Sequence, residues 1–166
     1  MEFDGPSLPL RASGEFSGFR WELRGAVIAD AVHQWVWIEG PDGGGGGGGV
    51  GPLPHSDIGW KVLGALAGVG ETSGYSVGRW FRRIRRPIIL HGVVAAQVVR
   101  VRIDVDNAAS ADAVLVDAGH AHAKFFILVV SPTAKWRCAI AYDSRGAELD
   151  RGGPWRPVAR LGHCRG

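Results

Sequence analysis

From residue 98 to residue 150, apolar side chains recur at every second position in several short runs, each closed by a turn signal. Segments patterned in this way can bury one face only as pleated strands. In Val99-Arg100-Val101-Arg102-Ile103-Asp104-Val105 the four β-branched residues fall on one face and the charges on the other. The same beat returns in Trp136, Cys138, Ile140 and Tyr142, set against Lys135, Arg137, Ala139 and Ala141, and stops at the turn sequence Asp143-Ser144-Arg145-Gly146. Further turn signals at Asp106-Asn107, Asp117-Ala118-Gly119 and Ser131-Pro132-Thr133 recur at about the 8–12-residue spacing of a sandwich or barrel. The expected fold is all-β: an immunoglobulin-like antiparallel β-sandwich of about seven to nine strands in two packed sheets. Its predicted core is Phe19, Trp21, Leu23, Val99, Val101, Ile103, Phe125, Ile127, Val129, Trp136, Cys138, Ile140 and Tyr142.

A chain of 166 residues, 46% hydrophobic and 21% charged, can bury a sizeable core and is too apolar to stay unfolded. The domain is expected over residues 17–150, between a flexible N-terminal arm (1–16) that carries Pro6 and Pro9 and a basic C-terminal tail (151–166). Phe19, Trp21 and Leu23 alternate with Arg20, Glu22 and Arg24, and a second apolar run follows at residues 31–39, so a hairpin is expected here. Trp35 and Trp37 share one face of it; they read as a core wall, since indoles bury large areas, with an exposed ledge as the alternative. Residues 43–49 are all glycine, and the entropy cost of ordering them predicts a disordered Gly-rich loop. The run cannot be read as a phosphate loop, because Val50-Gly51-Pro52 stands where Lys and Ser/Thr are needed. Residues 58–78 fit a strand or a short helix, weakened by Gly64 and Gly68.

The order Val99-Arg100-Val101-Arg102-Ile103, Lys124-Phe125-Phe126 and Ala141-Tyr142-Asp143-Ser144-Arg145-Gly146-Ala147-Glu148-Leu149 resembles a C-terminal pattern of uncharacterised bacterial proteins from GC-rich genomes. The similarity covers residues 92–150. It implies a small immunoglobulin-like β-sandwich, and several proteins of that kind are exported or membrane-anchored. In this chain the first residues, Met1-Glu2-Phe3-Asp4-Gly5-Pro6, do not have the pattern of a secretory signal and no window reads as a membrane span. The expected location is the cytoplasm. Cys138, in phase with core residues, reads as a buried free thiol, and Cys164 lies in the tail.

Net charge is +3, but it is segregated: residues 79–102 hold seven basic and no acidic side chains. The densest stretch is Arg79-Trp80-Phe81-Arg82-Arg83-Ile84-Arg85-Arg86. Guanidinium groups pair bidentately with phosphate, and aromatic rings stack on bases or enter a headgroup layer. Arg79, Trp80, Arg82, Arg83, Arg85 and Arg86 are therefore candidates for binding an anionic surface, nucleic acid or lipid. The bland reading is a solvated edge whose Trp80, Phe81 and Ile84 pack inward, since Pro87 ends any helix. His120-Ala121-His122 places two imidazoles on one side of a strand, weak candidates for a metal site that would need His91, His163 or Cys164 to complete it. No nucleophile elbow or convergent carboxylate pair is legible. The expectation is a non-catalytic structural or protein-interaction module without a cofactor, whose partner is another protein or a second copy of itself. Binding to an anionic surface through residues 79–86 is the first alternative, and a metal-dependent enzyme using His120 and His122 the second.

Overall fold

The alternating segments form strands, and a computed structural model shows what they stack against. It describes residues 7–28, 31–54, 65–77, 82–106 and 109–153. Among these, fourteen strands make three four-stranded antiparallel sheets and a two-stranded ribbon. The first sheet is a meander in chain order, β1 (Leu10–Phe16), β2 (Phe19–Ile28), β3 (Ala31–Glu39) and β4 (Gly45–Pro54). A second has the order β11 (Val114–His120), β12 (Ala123–Val130), β8 (Ile88–Ala95), β5 (Leu66–Thr72). The C-terminal sheet has the order β10 (Ala111–Asp112), β9 (Arg100–Val105), β13 (Trp136–Tyr142), β14 (Glu148–Gly152). The ribbon pairs β6 (Tyr75–Val77) with β7 (Arg83–Arg85).

The second sheet lies in the middle, because its two faces feed two different cores. Ile89, Val93, Phe125 and Ile127 pack with Phe19, Leu23, Val32, Val36 and Ile38 of the meander. Their chain neighbours Leu90, Val94 and Phe126 pack with Val101, Ile103, Trp136, Ala139 and Ala141 of the C-terminal sheet. Every residue of β8 is buried. The all-β sandwich expected from the alternation is present, with one more layer than the two sheets predicted. β5 and β8–β14 form two of the layers, and β1–β4 cover the face that a two-layer sandwich would show to water. Residues 10–16, assigned from sequence to the arm, are β1, held by its register with β2. Within residues 58–78 the described part, 65–77, holds strands β5 and β6 and no helix.

The first core contains one buried polar chain. Gln34 donates from Nε2 to the carbonyl of Gly92 at 3.0 Å. Its Oε1 must then accept, which fixes the His91 proton on Nδ1, 2.9 Å away. His91 Nε2 in turn accepts from Thr72 Oγ1 at 3.3 Å. The imidazole is neutral and both its nitrogens are satisfied, as burial between two sheets requires.

Several expectations are corrected. From Gly45 on, the glycine run is strand β4 rather than a loop, paired through Gly45↔Glu39, Gly46↔Ile38 and Gly47↔Trp37, while Gly43 and Gly44 form the turn that leads into it. The indoles of β3 replace the missing side chains. A Cβ on Gly45 would overlap the Trp37 ring, and one on Gly47 would lie 2.9 Å from Trp35 Cζ2; an aromatic leaning over a neighbouring glycine offsets the cost of ordering it. Trp35 and Trp37 are accordingly the half-buried outer face of the meander, not a core wall; Val32, Gln34, Val36 and Ile38 point inward. Their rings are offset-stacked, with centroids 5.5 Å apart and planes at 12°.

In β13 a register shift between Trp136 and Cys138 breaks the two-residue beat, as an inserted bulge residue must. Trp136 faces the core, but beyond the shift the inward residues are Ala139 and Ala141. Cys138, Ile140 and Tyr142 point to the opposite face, across from Asp104, Arg102 and Arg100, where Cys138 and Ile140 are buried as expected and Tyr142 is partly exposed. Tyr142 is held there by both arginines, each guanidinium 5.6 Å from its ring centroid. Cys138 is buried but disulfide-bonded, not a free thiol, and Cys164, the other cysteine of the chain, lies outside the described residues. Val99 precedes β9 and is 50% exposed, outside the core it was assigned to.

Candidate functional site

The described part of the basic stretch supplies β7, one strand of the ribbon. Arg79, Trp80 and Phe81 lie outside the described residues. Of the rest, β7 turns Ile84 inward against the first core, which by the two-residue alternation sends Arg83 and Arg85 to the other side. Arg82, Arg83 and Arg85 are exposed. The ribbon register places Arg85 opposite Tyr75. Arg85 Nε donates to the Tyr75 hydroxyl at 3.3 Å, and its guanidinium carbon lies 5.8 Å from the centroid of that ring, which is 52% exposed. Arg86 has a different task from the one its sequence suggests. Its backbone N–H donates to Gly74, and Nη2 donates at 2.9 Å to the carbonyl of Gly45 at the edge of β4. It clamps the ribbon to the meander, so it is a positioning residue rather than a free cation.

At the foot of the ribbon lies a cleft of about 340 Å³, bordered by Tyr75, Arg85 and Arg86 on one side and by Thr133 and Lys135 on the other. Lys135 is exposed. Glu71 also borders the cleft, but its carboxylate accepts the Trp136 indole N–H at 2.9 Å. The arrangement offers cationic groups from two elements around an aromatic ring, a geometry suited to phosphate oxygens with a base or acyl surface beside them.

His120 and His122 do not stand side by side along one strand. His120 ends β11 and His122 lies in the turn before β12. Their ring centroids are 5.6 Å apart, edge to face, and His120 Nδ1 accepts the His122 backbone N–H at 3.3 Å. Among the described residues no group of three His, Cys, Asp or Glu side chains could hold a metal ion. His91, a possible third ligand by sequence, is committed to Gln34 and Thr72 inside the first core; His163 and Cys164 lie outside the described residues. The sequence reading missed Lys135 and Tyr75 as neighbours of the arginines. They lie in other segments, and only the β6–β7 pairing and the turn before β13 bring them to one cleft. Comparisons with protein-family models, with curated proteins and with solved structures give no match.

Proposed function

We propose that the chain is a non-catalytic binding module that attaches to phosphate-bearing polyanions through the β6–β7 ribbon and the cleft at its foot. A contrast in charge pairing carries this reading. Arg20, Arg24, Arg100, Arg102, Arg137 and Arg151 each pair with a carboxylate. Arg82, Arg83 and Arg85, close in sequence and exposed, pair with none among the described residues. Three like charges close in sequence and without an ion-pair partner raise the local potential and are relieved by an anionic partner. The Arg86 clamp supports the same reading, because a ribbon fixed to the scaffold loses less freedom on binding than a loop does.

The test is a titration of the full chain against labelled single-stranded DNA, duplex DNA and vesicles containing anionic phospholipid, repeated across salt concentrations. Binding should weaken as salt rises, with a log–log slope of about −2 on single-stranded DNA if the three arginines neutralise one phosphate each. Changing Arg82, Arg83 and Arg85 together to alanine should lower affinity about tenfold or more at low salt. The preferred arm identifies the source of the phosphates. Absence of binding in all three arms at low salt, or binding unaffected by the triple substitution, contradicts the proposal.

A further inference from the structure

The outer face of the meander sheet carries a second surface, chemically unlike the ribbon. Strand register lines up two cross-strand rows there. One runs Ser13, Glu22, Trp37, Gly47 and the other Glu15, Arg20, Glu39, Gly45. Together the side chains of β1–β3 in these rows border a shallow trough of about 430 Å³. One face of the Trp37 ring is taken by Trp35, and Trp37 also borders the trough. The lining comes from β1–β3 alone, and on the side of the fourth strand the Trp37 ring lies over Gly45. Arg20 is held by Glu39 at 2.9 Å, and Glu22 by Arg24 at 2.9 Å. These ion pairs orient planar hydrogen-bonding groups above the sheet. Glu15 is exposed and makes no ion pair among the described residues.

We infer that this trough binds a neutral saccharide chain, with a pyranose ring lying against Trp37 and its hydroxyl groups bonded to Glu15, Glu39 and Arg20. The C–H face of a pyranose carries slight positive charge and is attracted to the negative face of an indole. Its paired equatorial hydroxyls match the two oxygens of a carboxylate and the fork of a guanidinium. Three glutamates against one bordering arginine disfavour a phosphorylated or acidic sugar, so this site does not compete for the ligand of the ribbon and does not depend on the polyanion reading. An open trough of this kind, with most of the ligand left in water, binds weakly and gains affinity with each added sugar unit that it covers.

The experiment is a calorimetric and chemical-shift titration of the full chain with soluble oligomers of glucose and of N-acetylglucosamine. The expected result is saturable binding of at least one oligomer, insensitive to salt and unchanged when Arg82, Arg83 and Arg85 are replaced by alanine. Trp37→Ala should weaken it about tenfold or more. Because Trp37 also covers Gly45, a second variant combines Glu15→Ala with Glu39→Gln, at outward-facing positions that leave the core untouched; it should weaken binding by a similar factor. No saturable binding of either oligomer, binding that survives the double variant, or a preference for a quaternary ammonium compound over both sugars would overturn the inference.

Discussion

Phe125→Ala and Phe126→Ala, made separately, will each destabilise the protein by about 3–5 kcal/mol. Adjacent residues of a strand point to opposite faces, so a two-layer sandwich would lose that much from one substitution and almost nothing from the other. Here both rings are fully buried, Phe125 in the core shared with the meander and Phe126 in the core shared with the C-terminal sheet. Neither cavity can fill from the other side, because the hydrogen-bonded backbone of β12 separates them. Urea unfolding of the two variants measures the comparison directly, and a small effect for either one would remove a layer from the fold.

Stability will fall as pH drops from 7 to 4, and His91 will account for about 3 kcal/mol of the loss. Burial lowers the pKa of His91 from 6.5 to about 4, since a charged imidazole between two apolar sheets has no water and no counter-charge. The unfolded chain takes up a proton on this ring below about pH 6.5, and the folded chain only near pH 4. Acid therefore favours the unfolded state across that window: the contribution is full above 6.5 and falls away as pH approaches 4. Urea titrations at both ends of the window should show a steeper pH dependence for the native chain than for His91→Gln, which keeps an amide at the position but cannot titrate there. Equal slopes would mean that His91 is not held neutral.

The strands were legible in the sequence wherever one face meets water. Val101 and Ile103 alternate with Arg102 and Asp104 in β9, and the structure keeps that division. The third layer was legible too, by a different sign. Ile88-Ile89-Leu90 and Phe125-Phe126-Ile127-Leu128-Val129-Val130 are unbroken apolar runs, and a strand needs such a run only when both of its faces are covered. Periodicity could not report the bulge in β13, because one inserted residue moves every later side chain to the other face without changing the composition. That is why Tyr142 looked like a core residue and Ala139 like a surface one.

Polyglycine misleads for a related reason. Its order comes from the partner strand: Trp35 and Trp37 supply the covering surface that Gly45 and Gly47 lack, and no propensity of the glycines themselves carries that information. The candidate ribbon was half legible. The arginine density of residues 79–86 is plain in the sequence, but the distinction between Arg86, which clamps the edge of β4, and Arg82, Arg83 and Arg85, which face water, arises only once β7 pairs with β6. Lys135 meets Arg85 and Arg86 at the cleft from across the fold, and separations of that length leave no pattern in a single sequence.

Shielding of the middle sheet on both faces can be read by methyl NMR with a soluble paramagnetic agent, which broadens side chains according to their distance from water. The methyl groups of Ile89 and Val93 on one face of β8, and of Leu90 and Val94 on the other, should be equally unaffected, while those of Val114, 61% exposed, are strongly broadened. Broadening of one alternate set to the level of Val114, with the other protected, would show an open face and contradict the three-layer account.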